Sequence, residues 1–100
     1  MKKKFNISCH EKQGLVLLQK EAVDVFEYGG RFFAIFKETN YWNCTHIETG
    51  ICVAIGTTKA RAKSKAIDTI YENEQKFDNS IKLHLQKHGA ANNLMDIIEQ

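Results

Sequence analysis

The residues from Ile51 to Tyr71, ICVAIGTTKARAKSKAIDTIY, change their hydrophobic period halfway, and that change constrains the fold more than any other feature. Ile51, Val53 and Ile55 alternate with Cys52 and Ala54, which is the period of a strand with a buried face. Gly56 permits a turn, and Thr57 or Thr58 offers a hydroxyl to cap a helix. From Lys59 onward the spacing is helical, with Ala62, Ala66, Ile67, Ile70 and Tyr71 at three- and four-residue steps. A strand that runs into an amphipathic helix needs a sheet for the helix to cover, so the fold is expected to be α+β.

The residues before Ile51 supply such a sheet. Lys3 to Cys9 is a candidate first strand, and His10 to Gly14 a turn. Leu15 to Leu18 follows as a short apolar run, and Ala22 to Tyr28 as a better strand. Gly29-Gly30 is a two-residue hairpin signal, because primed turns need positive φ. The return strand Arg31 to Lys37 is apolar on both faces and is expected to be central; its second face is then either covered or an interaction surface. Tyr41 to Ile47 and Ile51 to Ile55 complete the meander around a tight turn at Glu48-Thr49-Gly50. Sequential strands should pair antiparallel, with the helical region packed on one face.

Beyond Tyr71 the helical stripe continues through Phe77, Ile81, Leu85 and His88. Asp78-Asn79-Ser80 is poor helix material, so we expect a helix from about Thr58 to Phe77, a bend, and a second from about Ser80 to His88. One unbroken helix is the alternative. Gly89 is a stop, and Asn92 or Asn93 can cap a last short helix carrying Leu94, Met95, Ile97 and Ile98. That helix is too short to stand alone, so it should dock on its own domain or form a homodimer contact. Residues 1–100 form one domain, strands to about residue 56 and helices after it, with no proline or repeat to mark a boundary.

The chemistry suggested by the sequence lies at the start of the first helix. Lys59, Arg61, Lys63 and Lys65 occupy its first two turns without an acid among them. Each cation there opposes the macrodipole at a cost of about 0.3–1 kcal/mol. On a helical wheel Lys59 and Lys63 fall nearly in line with Ile70 and Phe77, and Arg61 and Lys65 on the opposite face. Cations beside free N–H groups suit a phosphate; the other reading is of solvated side chains whose stems cover the sheet edge. Net charge is only +2, below that of proteins that bind nucleic acid by charge alone, so the local patch carries the argument.

Other constellations are weaker. Phosphate-loop, nucleophile-elbow and dinucleotide signatures are absent, and no cofactor or enzymatic activity is expected. His84 and His88 stand four apart on one helical face, a spacing that can bind metal, but packing or capping histidines are the plainer reading. Cys44, His46 and Cys52 share a face only if their hairpin has a three-residue loop. Cys44 with His46 also makes a nucleophile pair without a family signature. Tyr28, Phe32, Phe33, Phe36, Tyr41 and Trp42 either stack bases or fill the core. The three cysteines, an odd count, argue against a disulfide framework. The basic start Met1-Lys2-Lys3-Lys4 has no apolar run after it and no segment approaches spanning length, so a cytoplasmic protein without membrane contact is expected.

Gly56-Thr57-Thr58-Lys59-Ala60-Arg61-Ala62-Lys63, followed by Ala66, resembles the end of a double-stranded RNA-binding domain. In that family three antiparallel strands lead through a glycine turn into a helix that opens Ser-Lys-Lys-x-Ala-Lys. Thr58 matches the Ser, Lys59 the first Lys, Ala62 the Ala and Lys63 the last Lys, while Ala60 replaces the middle Lys. The family's first helix and its Gly-Pro-rich loop have no counterpart. The resemblance therefore implies the fold of residues 22–71 more than RNA binding. The chain also has the general look of a small phage or mobile-element protein. Together these features lead us to expect nucleic-acid backbone binding through Thr58, Lys59, Arg61, Lys63 and Lys65. The alternative is a phage-type accessory or inhibitory module that binds protein through an apolar sheet face or the C-terminal helix.

Overall fold

A computed structural model of the chain describes residues 3–99, so Met1 and Lys2 of the basic start lie outside the described residues, as does Gln100. Six strands precede three helices: β1 (Lys3–Glu11), β2 (Gly14–Ala22), β3 (Asp24–Tyr28), β4 (Arg31–Lys37), β5 (Trp42–His46), β6 (Cys52–Gly56), α1 (Lys59–Glu72), α2 (Glu74–His88) and α3 (Leu94–Ile98). The fold is α+β, and every strand pairing is antiparallel. The strands follow one another as an antiparallel meander divided between two sheets. β1 and β2 make a two-stranded hairpin, and β3-β4-β5-β6 a separate four-stranded sheet. The division falls at Val23, inside the stretch expected as a single strand from Ala22 to Tyr28.

β4 explains the layering. Phe33 and Ile35 point into a core with Cys44, Ala62, Ala66 and Ile70 beneath α1. Ala34 and Phe36 point the other way, into a core with Phe5, Ala22, Ile47 and Ile97. The second face of the sheet is thus covered by the β1–β2 hairpin and α3. β3 and β4 meet in a two-residue turn, with Tyr28 opposite Arg31. Gly29 and Gly30 there have φ of 59° and 80°, values that favour glycine at both positions.

Helix α1 ends at Asn73, and α2 begins directly after it. The break therefore comes earlier than the expected bend near Asp78. Asn73 has φ −136° and ψ 39°, outside the helical region. Asp78, Asn79 and Ser80 continue within α2, where the Ser80 hydroxyl donates back to the Lys76 carbonyl at 3.0 Å. No residue of α2 is fully buried. Phe77 packs its ring 6.3 Å from Phe33 and 5.7 Å from His46. Arg31 clamps the helix from β4, with Nε and Nη2 donating to the two Asp78 carboxylate oxygens at 2.8 and 2.7 Å. Among the described residues no helix is long and apolar enough to cross a membrane.

Residues 91–98 dock on their own domain. Asn93 caps α3, its side chain accepting from the N–H groups of Met95 and Asp96. Its neighbour Asn92 is buried and joins three segments. Its Oδ1 accepts from Asn6 N at 2.7 Å, and its Nδ2 donates to the carbonyls of Asn6 and Ile47 at 2.8 and 2.7 Å. These bonds satisfy the outward edge of β1, and Ser8 extends them by donating its N–H to Gly50 at 2.8 Å. Replacing Asn92 by Ala would leave the Asn6 N–H and two carbonyls short of partners, an expected loss of about 2–3 kcal/mol. Asn93→Ala removes only an exposed cap and should cost about 1 kcal/mol. Urea denaturation of the two variants checks the order; an equal loss would contradict the assigned roles.

Candidate nucleic-acid interface

The basic start of α1 is placed by a close approach. A Cβ built on Gly56 would sit 2.6 Å from the Ala62 nitrogen, so only glycine lets the helix's first turn close over the end of β6. Thr58 is the N-cap, with φ −132° and ψ 162°, and its hydroxyl accepts from Arg61 N at 3.1 Å. The first turn carries no acid. Ala62, Ala66 and Ile70 form the buried stripe, with Ile67 half-buried beside it.

The four cations separate into two pairs. Lys59 and Lys63 both reach toward β3. Lys59 Nζ lies 3.8 Å from Asp24 Oδ2, an ion pair between two side chains that are 47% and 41% exposed, which contributes little. Lys63 is half-buried, its Nζ 4.8 Å above the Phe26 ring, where a cation–π contact is worth about 0.5–1 kcal/mol. Arg61 and Lys65 are exposed one turn apart, and neither pairs with an acid among the described residues. Thr58 and Lys59 are exposed too, while Lys63 is half-buried against the sheet.

The aromatic side chains give no open stacking platform. Phe33 and Phe36 are buried, Tyr28, Phe32 and Trp42 are half-buried against the two cores, and only Tyr41 of the group is exposed. Within residues 31–72 the antiparallel strands β4, β5 and β6 lead through Gly56 into α1. Before them the described residues form strands, where the double-stranded RNA-binding family has a helix.

The hairpin histidine and cysteines are held out of chemistry. A bulge between Cys44 and Thr45 sets Cys52 opposite Thr45, so the register that would align Cys52 with Cys44 and His46 does not occur. Burial pushes the Cys44 thiol up to about 12, so no thiolate forms at neutral pH. Burial also lowers His46 to about 4, helped by the Arg31 charge. Thr49 donates its N–H toward His46 Nδ1 at 3.4 Å, and its hydroxyl lies 2.9 Å from the same nitrogen. Nδ1 is therefore the acceptor, and the ring proton sits on Nε2. The ring lines a cavity of about 210 Å³ with Arg31, Glu48 and Asp78. Among the described residues no group of three or more His, Cys, Asp or Glu is placed to hold a metal ion.

Three features escaped the sequence reading. The Arg31–Asp78 clamp joins residues 47 apart, the Asn92 bridge residues 86 apart, and the His10 ring lies 6.0 Å from His88. Nothing in local spacing signals any of them. No protein-family model matches the chain, and no curated protein or solved structure matches it significantly.

His46 makes acid stability a direct test of this geometry. Its folded pKa of about 4 lies below the ordinary 6.5, so between those values the unfolded chain binds more protons than the folded one. Its contribution is complete above pH 6.5 and is lost as pH falls toward 4, by roughly 3 kcal/mol at most. Asp78 acts in a lower window, because its hydrogen bond to Arg31 holds its carboxyl below the usual range. Urea midpoints measured from pH 7.5 to 4 should fall in the wild type and fall less in His46→Phe. Parallel curves would contradict a buried neutral imidazole.

Proposed function

We propose that the chain is a non-enzymatic nucleic-acid-binding protein that contacts phosphate backbone through the start of α1. The observation that carries this reading is the acid-free first turn, with Arg61 and Lys65 exposed and without an ion-pair partner among the described residues. A phosphate oxygen placed there would meet helix N-terminal N–H groups and the favourable end of the macrodipole. Thr58 orders that terminus. Arg61 and Lys65 are the principal phosphate contacts, Lys59 exchanges its weak pair with Asp24 for a phosphate, and Lys63 supplies charge from behind. Such contacts position a polyanion without reading its sequence.

A second reading, a protein-binding accessory module, has its own support. A cavity of about 310 Å³ lined by Ile51, Cys52, Val53, Phe77 and Ile81 opens beside β6, an edge strand, and Ile55 and Tyr71 are exposed at 49% and 78%. The second face of β4, with Ala34 and Phe36, and Ile97 of α3 are packed within the domain.

Fluorescence anisotropy with labelled duplex RNA, duplex DNA and single strands at two salt concentrations separates the readings. Under the first, affinity falls with salt, and the Arg61→Glu/Lys65→Glu variant lowers the slope of log affinity on log salt by about one to two units. Its fold should persist, since both positions are exposed and acids suit a helix N-terminus. Absence of binding at low salt, or binding indifferent to the double change, rejects the first reading and leaves the second.

A further inference from the structure

The last two turns of α2 hold an anomaly unrelated to the basic helix start. Nε2 of His84 is buried yet has no hydrogen-bond partner among the described residues. A ring nitrogen shut away from water without a partner is costly, and such an atom signals an absent water or ion. His88 lies one turn further on, and its ring centroid is 4.9 Å from that of His84, tilted by 50°. Two imidazoles that share one tetrahedral ion at ordinary metal–nitrogen lengths have centroids roughly 5 Å apart. The spacing of four on one helical face is also that of known zinc-binding helices.

We infer that His84 and His88 form a binding site for a divalent first-row transition cation such as Zn²⁺ or Ni²⁺, with water in the remaining positions. The surroundings favour such an ion. The pair occupies the C-terminal end of α2, where unpaired carbonyls and the macrodipole attract positive charge. His88 lines an open cavity of about 350 Å³ between the helix end and the β1–β2 hairpin, which leaves room for water beside that ring. Burial, followed by the neighbouring His88 and His10, holds the proton affinity of His84 below its ordinary value, so the ring is neutral and ready to coordinate at neutral pH. Two ligands give an open site rather than a closed structural one. His10 on β1 is the third imidazole of the cluster, 6.0 Å from His88 and so about 1 Å too far to share the ion as it stands. A ring rotation that brought it in would tie the end of α2 to β1.

Titration of the full chain with zinc or nickel chloride, followed by melting temperature and by imidazole nitrogen resonances, tests the site. The expected result is a metal-dependent rise in melting temperature, reversed by EDTA, with His84 and His88 resonances shifting together at one ion per chain. His88 is exposed, so His88→Ala should keep the metal-free melting temperature and lose both responses. His84→Gln should lose them as well, whereas Cys52→Ser should keep them. Unshifted His84 and His88 resonances at millimolar metal would overturn the inference. So would a response that survives His88→Ala or disappears with Cys52→Ser, because the ion would then sit on other ligands.

Discussion

Burial of β4 on both faces is the constraint on which the rest of the structure depends. Phe33, Ala34, Ile35 and Phe36 are consecutive and all essentially inaccessible, and only a three-layer arrangement satisfies such a run. One layer is α1, whose small residues Ala62 and Ala66 let its backbone lie close to the sheet. The other is the β1–β2 hairpin, closed at its end by α3. Neither outer layer buries its own apolar side chains without β4, so the two cores share one strand as their common wall.

Most of this architecture could be read along the chain because it is written in short-range signals. The two glycines at the β3–β4 turn, the period change at Gly56 and the stop at Gly89 each sit where a local backbone requirement is met. The errors have physical reasons. Ala22 to Tyr28 reads as one strand by alternation, yet Ala22 and Val25 serve the same core from different sheets, with the chain crossing between them at Val23. Asp78-Asn79-Ser80 has poor helix propensity, but the Asp78 carboxylate held by Arg31 outweighs a few tenths of a kcal/mol of propensity. The helix breaks instead at Asn73, where that compensation is missing.

At the basic helix start the wheel separates the cations into two pairs, Lys59 with Lys63 and Arg61 with Lys65. Lys59 and Lys63 do share the face of the buried stripe, but β3 lies beneath them, with Asp24 and Phe26 within reach of their stems. A lysine on an apolar stripe finds an aromatic or acidic neighbour where a strand lies beneath its stem. The opposite pair keeps full hydration. The patch is therefore graded, from lysines already engaged with the sheet to an exposed arginine and lysine.

The Asn92 bridge makes the order of synthesis matter. Asn6 is made 86 residues before Asn92 and Ile47 45 residues before it, yet the Asn6 backbone groups and the Ile47 carbonyl wait for that side chain. Lys3 likewise reaches the Ile98 carbonyl at 2.8 Å. Until residues 92–98 have left the ribosome, the outer edge of β1 is an unpaired strand beside an incomplete core, a template for adhesion between nascent chains. Folding of this domain is thus gated by residues 92–98, and a translation stall just short of them would leave the most adhesive form of the chain.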